Sequence, residues 1–243
     1  MNSLKIIPEK DLKEKPNQEE IWNNIALPWR TYVTKKIPFV EELLERINFD
    51  FLKSELSKNQ AVLRIIDLGC GTGRNMIPNE NIEYYGVDFS EEQLKQAELS
   101  TQEQKINAKF FKQDISKLDK KIFKNEMFDY GLFIATLHCL ETKKARLNAL
   151  KEFYRVLKPG AEAIISVWNS DDSRFDKVKK EKCGGVYMSW QKDRINYMRY
   201  YYLFEKQEFL DFLKSVGFKI QEIYEKLEHD RFSKKNWIVR VQK

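Results

Sequence analysis

A short apolar run that breaks into alternating glycines constrains the fold of this chain more than any other feature. The run from Ala61 to Ile66 ends in Asp67 and passes at once into Leu-Gly-Cys-Gly-Thr-Gly-Arg-Asn, residues 68–75. A parallel strand that is covered on both faces has a nearly continuous apolar sequence. Glycines accept positive φ angles and let a ligand approach the backbone closely. The pattern therefore predicts a buried strand that ends in a ligand-binding loop.

A second acidic residue, Asp88, ends the next apolar run, residues 82–87. In nucleotide-binding α/β folds, an acidic group about 20 residues beyond the glycine loop contacts a ribose hydroxyl. The spacing favours a nucleotide site, and the alternative is a structural turn followed by a chance carboxylate.

The glycine spacing narrows the class of nucleotide. A dinucleotide motif continues into a helix whose N-terminus holds the pyrophosphate, whereas residues 75–79 are a poor helix that Pro78 interrupts. A P-loop is excluded because no Gly-Lys-Ser/Thr sequence follows the loop. The spacing therefore fits neither of these two phosphate-binding loops.

Five segments in chain order resemble the motifs of the class I S-adenosylmethionine-dependent methyltransferases; they are residues 67–73, 85–90, 110–115, 128–133 and 152–160. The resemblance implies an α/β fold, with a doubly wound, Rossmann-like sheet of seven strands, an antiparallel last strand and N-terminal helices. It implies S-adenosylmethionine as the cofactor. The implied cofactor-binding positions are Asp67, Gly69, Cys70, Gly71, Gly73, Arg74, Asp88, Phe89, Asp114, Ile115 and Ile134.

Within that set the resemblance gives three residues particular roles. Asp88 would bind the ribose, and the Asp114 carboxylate would meet the adenine amino group. Cys70 stands where the loop needs a small side chain, so we interpret it as a packing residue and not as a nucleophile.

Composition limits the remaining classes. The chain has 243 residues, a formal charge of +6 and a pI near 9.0, which indicates an anionic partner or simply many solvated lysines. No apolar stretch approaches the roughly 20 residues of a membrane helix, and the charged N-terminus has no signal-peptide character. Three scattered cysteines predict reduced thiols, no metal site and a cytoplasmic protein.

The periodicity divides the chain into five parts. Residues 1–18 are predicted to form a mobile polar tail, and residues 19–60 a helical extension. Residues 61–169 are predicted to form the core, which the resemblance implies is the S-adenosylmethionine-binding part. Residues 170–204 are a basic insert interleaved with aromatic residues, and residues 205–243 supply a helix and a strand hairpin that complete the sheet.

Two segments bear on the methyl acceptor. His138 follows the fourth core strand, at the end of the sheet where ligands bind in such folds; it is either a catalytic base or a histidine satisfied by the backbone. The surrounding residues 134–140 lack the Asn/Asp-Pro-Pro-aromatic and Pro-Cys sequences of nucleobase methylation. The insert could neutralise phosphates and stack unpaired bases, or it could form a lid or an apolar strand over the core.

Several segments along nearly the whole chain resemble the tRNA wobble-uridine carboxyl-methyltransferases; they are residues 21–26, 134–140, 152–159, 167–168, 199–203 and 236–239. The resemblance implies tRNA as the substrate, with esterification of 5-carboxymethyluridine, and a small zinc-binding activator subunit as a partner. The chain departs from that family where His138-Cys139 replaces two adjacent histidines, in a longer approach to the last strand at residues 229–235, and in Gly160-Ala161 after Pro159.

A carboxylate acceptor is already ionised at neutral pH, so it can attack without a general base. The site would instead need to orient an anion, for which the arginine fork is suited. The candidates are Arg199 and Arg231, with Arg30 and Arg174 as reserves. Two rivals remain: a small-molecule O- or N-methyltransferase, and a non-catalytic subunit that binds RNA or a partner.

Overall fold

The computed structural model describes residues 5–53, 62–179, 184–224 and 231–243, without the side chains of Lys177, Lys179 and Arg231. In chain order the elements are β1 (Ile6–Pro8), α1 (Gln18–Tyr32), α2 (Pro38–Lys53), β2 (Leu63–Leu68), β3 (Ile82–Asp88), α3 (Glu91–Glu103), β4 (Ala108–Lys112), β5 (Phe128–Ile134), α4 (Lys143–Val156), β6 (Leu157–Trp168), α5 (Asp176–Lys179), β7 (Gly185–Lys192), β8 (Ile195–Tyr202), α6 (Lys206–Val216), β9 (Lys219–Ile223), α7 (Arg231–Lys235) and β10 (Asn236–Gln242).

Seven strands form the main sheet in the order β4-β3-β2-β5-β6-β10-β9. The pairs β2–β3, β2–β5, β3–β4 and β5–β6 are parallel. Strand β10 is antiparallel to both of its neighbours, β6 and β9. The predicted doubly wound sheet with an antiparallel last strand is therefore confirmed.

Helices cover both faces of this sheet, which is why its central strands are apolar along their whole length. On one face, Leu150 of α4 and Leu213 of α6 belong to a buried apolar cluster with the strands. On the other face, Leu44 of α2 and Leu94 of α3 belong to a second cluster. The two faces leave the carboxyl ends of the parallel strands as the place where a ligand can enter.

A second sheet of three strands has the order β1-β7-β8. The basic aromatic insert thus contains an antiparallel hairpin, and residues 6–8 pair with residues 186–188 at its edge. This differs from the expected mobile tail over residues 1–18. Hydrogen bonding along β7 holds the N-terminal segment in place, while residues 1–4 lie outside the described part of the chain.

The aromatic residues of the hairpin are mainly structural. Tyr187, Tyr200 and Tyr201 are at most 2% exposed. They pack the small sheet against the core, as expected for an apolar strand and not for a fully exposed RNA-binding face. Lys180, Lys182 and Cys183 of the same insert lie outside the described residues.

Helix α1 bridges the two sheets. At its start, the Gln18 Nε2 donates a hydrogen bond to the Met198 carbonyl, and the Tyr200 N–H donates to Gln18 Oε1. One turn further on, Asn23 Oδ1 accepts a hydrogen bond from the Ser90 hydroxyl at 2.7 Å. The helix therefore lies across the carboxyl ends of the core strands. No helix within the described ranges combines the length and apolar character needed to cross a bilayer.

Candidate active site

The glycine loop after β2 has the backbone that its sequence predicts. Gly69 and Gly71 adopt positive φ angles of 69° and 52°, the region that side chains with a Cβ rarely occupy. A Cβ on Gly69 would lie 2.0 Å from the Cγ2 of Thr136. Glycine is therefore required both by the turn and by the close approach of the chain that follows β5.

Asp88 lies at the end of β3, directly beside this loop. Its Oδ2 accepts a hydrogen bond from the Gly71 N–H at 3.0 Å, and its Oδ1 accepts one from the Ser90 N–H at 2.9 Å. Burial raises the pKa of the carboxyl group to about 6, against the opposing effect of these backbone donors. At neutral pH the group is mostly ionised and can accept hydrogen bonds from a ligand.

Asp67 is fully buried beneath the loop. Neither of its carboxylate oxygens has a hydrogen-bond partner among the described residues. Burial raises its pKa to about 7, while Asn75 and the Arg74 guanidinium act in the opposite direction. Burial likewise lowers the pKa of Arg74 to about 10, which Asp67 partly offsets. A buried carboxylate is costly unless it is paired. Asp67 has the Asn75 side chain and the Arg74 guanidinium nearby but no hydrogen bond of ordinary geometry, so a cationic ligand group would stabilise it further.

Asp88 and the glycine loop line a cleft of about 660 Å³, open solvent at its mouth included, whereas Asp67 lies beneath the loop and is not among the lining residues. The core supplies most of the wall, and α1 supplies an aromatic cover. The residues that line it are Trp22, Trp29, Val33, Gly69, Cys70, Gly71, Thr72, Arg74, Asn75, Asp88, Phe89, Gln93, Ile134, Ala135, Thr136 and Cys139.

The structure thus brings together seven of the cofactor positions expected from the sequence: Gly69, Cys70, Gly71, Arg74, Asp88, Phe89 and Ile134. Cys70 is buried, and burial and the neighbouring carboxylates raise the pKa of its thiol well above the ordinary value. Its position fits the packing role and not a nucleophilic one. Gly73 instead packs on α3, where a Cβ would lie 3.4 Å from that of Ala97.

Asp114 and Ile115 are not part of this wall. Asp114 is exposed, its Oδ1 accepts a hydrogen bond from the Ser116 N–H, and it lines a separate surface cleft with Lys117 and Asn148. Ile115 is buried in the core. The carboxylate of Asp114 caps its own turn because the chain bends immediately after β4. Its contact with the adenine amino group stays a prediction.

His138 is buried and lies outside the cleft lining. Its ring packs against the Trp168 ring at 5.2 Å and the Tyr201 ring at 5.5 Å. Nδ1 accepts a hydrogen bond from the Trp168 N–H, so the neutral ring carries its proton on Nε2. Burial, together with Arg174, lowers its pKa to about 3. The backbone thus satisfies Nδ1, while Nε2 has no hydrogen-bond partner among the described residues. A buried ring with a lowered pKa does not fit a catalytic base.

Arg199 lies on β8, next to the inner end of the cleft. Its guanidinium carbon is 5.7 Å from the Trp22 ring, 5.2 Å from the Trp29 ring, 5.2 Å from the Trp190 ring and 5.3 Å from the Tyr201 ring. The residue is only 3% exposed, and its Nε has no hydrogen-bond partner among the described residues. Aromatic faces stabilise a cation but do not pair with its Nε–H, so that donor is available to an anion.

Arg199 also lies near Cys139, which lines the cleft. Burial raises the pKa of the Cys139 thiol to about 12, and the Arg199 guanidinium opposes that rise. The cation therefore lies close enough to influence groups at the cleft wall.

The other arginine candidates are placed differently. Arg30 forms an ion pair with Glu103, and Arg174 forms one with Asp172 at 2.8 Å. Arg231 is the first residue of α7, and its side chain lies outside the described part of the structure. Of the four candidate arginines, Arg199 is the one whose described side chain is both buried and free of an ion pair with a described carboxylate, and it packs on Trp22 and Trp29, which line the cleft.

Sequence reasoning missed the aromatic cover of the cleft. Trp22 and Trp29 are separated by two helical turns, so they lie on the same side of α1. The seven-residue spacing of two tryptophans is a signal that could have identified this face. The position of that face over the cleft is not visible in the sequence, because it depends on packing between α1 and α3.

Comparisons with known proteins are consistent with this geometry. The model of a family described as "Methyltransferase domain" matches residues 59–207. A tRNA (carboxymethyluridine(34)-5-O)-methyltransferase of Schizosaccharomyces pombe is 25% identical over 199 residues, which cover 73% of this chain and 80% of the relative. A protein of the same name from Arabidopsis thaliana is 32% identical over 116 residues, which cover 48% of this chain and 26% of the relative.

Among solved structures, the 1,6-didemethyltoxoflavin-N1-methyltransferase of Burkholderia thailandensis, with bound S-adenosylhomocysteine, has a TM-score of 0.59 and 17% identity. The match covers 98% of this chain and 94% of that protein. At this level of identity, the structural likeness supports the fold alone.

Proposed function

This chain belongs to the methyltransferase domain family and is an S-adenosylmethionine-dependent enzyme, and on that premise we propose that it methylates a carboxylate of a tRNA wobble uridine. The product would be the methyl ester of 5-carboxymethyluridine. The proposal combines the geometry of the cleft, the charge next to it and the names of the relatives.

The residues of the cleft, together with Asp67 beneath the glycine loop, fit the cofactor. The buried Asp67 carboxylate lacks a partner, and the ammonium group of the methionine moiety would supply one. Asp88, at the cleft wall, is placed to accept hydrogen bonds from the ribose hydroxyls. The bound cofactor supplies a methyl group on a positively charged sulfur. The tryptophans of α1 exclude water from the space beside it, which favours transfer to a bound acceptor.

The single observation that carries the choice of acceptor is the Arg199 guanidinium. It is buried, it packs among four aromatic rings, and no ion pair with a carboxylate is found for it within the described residues. A desolvated cation of this kind is strongly stabilised by an anionic ligand. A carboxylate oriented by Arg199 needs no base to become nucleophilic, which agrees with the low pKa of His138.

Three observations support RNA as the carrier of that carboxylate. The chain has a net charge of +6, and the relatives in Schizosaccharomyces pombe and Arabidopsis thaliana are named as tRNA methyltransferases. A cytoplasmic location, expected from the cysteine usage and the N-terminal sequence, and a small zinc-binding activator subunit, implied by the sequence resemblance, belong to the same proposal.

The decisive experiment is incubation of the purified chain with isotopically labelled S-adenosylmethionine and tRNA that carries 5-carboxymethyluridine, with and without an activator subunit. Nucleoside mass spectrometry should then detect the labelled methyl ester. Arg199→Met should abolish most of the product, and Arg30→Met is the matched control, since Arg30 pairs with Glu103. Transfer of the labelled methyl group to small carboxylic acids, and not to RNA, would instead support the small-molecule alternative.

A further inference from the structure

Three aromatic side chains form a continuous group at the surface, beside the mouth of the cleft. The Trp29 and Trp190 rings are 5.2 Å apart, the Tyr32 and Trp190 rings 5.0 Å, and the Trp29 and Tyr32 rings 6.3 Å. We call these residues the surface aromatic cluster. Two come from α1 and one from β7, so packing between these elements holds the rings in a fixed arrangement.

The surface aromatic cluster is not part of the apolar core. Its members are absent from the three buried clusters of the described residues, and Tyr32 is 63% exposed. Aromatic rings stabilise a protein mainly through the area that they bury. Trp29 and Trp190 are half-buried and also pack on Arg199, but Tyr32 remains exposed against them. The exposed ring of Tyr32 is therefore better explained by a ligand than by folding.

Two features connect the surface aromatic cluster to the cleft. Trp29 is a member of the cluster and also lines the cleft. Arg199 approaches the rings of Trp29 and Trp190 from the interior, at 5.2 Å in each case. A molecule whose reacting group lies beside Arg199 would have to leave the cleft next to these rings.

The cations around the surface aromatic cluster indicate the charge of that molecule. Lys35 follows Tyr32 by three residues, and Lys192 and Arg194 lie at the β7–β8 end of the hairpin, where the Lys192 Nζ reaches the Asn24 carbonyl of α1. None of these three cations forms an ion pair with a carboxylate among the residues that the structure describes. Exposed rings between unpaired cations suit a ligand that combines flat bases with phosphates.

We propose that the surface aromatic cluster stacks an unpaired nucleobase adjacent to the nucleotide that is methylated. This proposal rests on the proposed function for the position of the methylated nucleotide, but base stacking itself does not require methyl transfer. The nearby cations would hold the flanking phosphates. Such stacking tolerates any base, because every base has a π-face. The cluster would therefore contribute to the affinity for the RNA and to the position of the methylated nucleotide, but not to sequence specificity.

Tyr32→Ala is the sharpest test, since Tyr32 is the most exposed ring of the cluster and lies outside the cleft lining. The probe is a labelled seven-nucleotide single strand, compared with a fully paired hairpin of similar length, in fluorescence anisotropy titrations. The single strand should bind at least about fivefold more weakly to the variant, with the hairpin unaffected. Tyr32→Phe should bind like the parent, because it keeps the ring.

Phe49→Ala is the matched control. Phe49 is 57% exposed, but it lies on α2 and contacts Lys53, so its removal should leave both titrations unchanged. Unchanged binding of the single strand by Tyr32→Ala would overturn the proposal. Equal losses for the single strand and the hairpin would also overturn it, since they would indicate a contact with phosphates or a general change of the surface.

The result separates this proposal from the proposed function. Tyr32-dependent binding without methyl ester on any uridine would support the stacking role and refute the proposed acceptor. If Tyr32→Ala instead formed the methyl ester with an unchanged KM for tRNA, the proposed acceptor would be supported and the stacking role refuted. Tyr32-dependent binding to lipid vesicles, or to a second copy of the chain, in place of the oligonucleotide would overturn the nucleobase as the occupant.

Discussion

Replacing Asp67 with asparagine should stabilise the cofactor-free protein and weaken its binding of S-adenosylmethionine. In the folded chain the carboxyl group is fully buried without a hydrogen-bond partner among the described residues, and its pKa is raised from 3.8 to about 7. An amide of the same shape removes the charge from this position. The same change removes the negative group that we assign to the cofactor's ammonium.

The size of the effect follows from the pKa. Each pKa unit corresponds to about 1.36 kcal/mol, so the rise at Asp67 corresponds to about 4 kcal/mol of lost stability. The folded form binds the proton more strongly than the unfolded form, so this loss is complete above pH 7, decreases as the pH falls, and disappears below about 3.8. The stability gained by Asp67→Asn should therefore be large at pH 8 and small at pH 4.

Urea unfolding without cofactor, at pH 8, 6 and 4, measures this gain. Asp50→Asn is the control, since that exposed carboxylate on α2 should leave the free energy of unfolding unchanged. Calorimetric titration with S-adenosylmethionine should show a Kd about ten- to a hundredfold higher for Asp67→Asn, as expected for the loss of one charge-assisted hydrogen bond. A gain that did not change with pH, or an unchanged Kd, would refute the reasoning.

Two further substitutions test the acceptor side of the cleft. Arg199→Met should lower kcat/KM for the RNA carboxylate by about ten- to a hundredfold with an unchanged Kd for the cofactor, and equal losses in cofactor affinity would contradict its assignment to the acceptor. His138→Phe keeps the ring stack with Trp168 and Tyr201, so steady-state assays between pH 6 and 8 should show kcat within about threefold of the parent. A loss of about a hundredfold or more would instead indicate general acid–base catalysis.

Much of the core and of the cofactor side could be predicted from the sequence, because their signals are local. The apolar run before Asp67, the glycines after it and the acidic end of β3 each indicate a strand end, and parallel strands bring such ends to one edge of a sheet. Seven cofactor positions meet in the cleft for this reason. Four expected positions do not line the cleft: Asp67, Gly73, Asp114 and Ile115. For Asp114 the reason is local, since the turn after β4 directs its carboxylate to the Ser116 N–H.

The acceptor side could not be predicted in the same way, because it depends on contacts between distant parts of the chain. Residues 6–8 pair with residues 186–188, and no local periodicity in a charged N-terminus indicates that strand. The burial of His138 depends on Trp168 and Tyr201, which come from two other strands. Arg199 was a candidate by resemblance, but its isolation among aromatic rings became visible only when α1 and the hairpin were packed together.

The most direct test of the central claim is a calorimetric titration of S-adenosylmethionine into the parent chain and into Asp88→Ala. The carboxylate of Asp88 lies at the cleft wall and accepts a hydrogen bond from the Gly71 N–H, so the cleft should bind the cofactor with one site per chain. The variant should bind it at least about tenfold more weakly. Equal affinities in the two proteins, or no binding by the parent, would contradict the assignment of this cleft as the cofactor site.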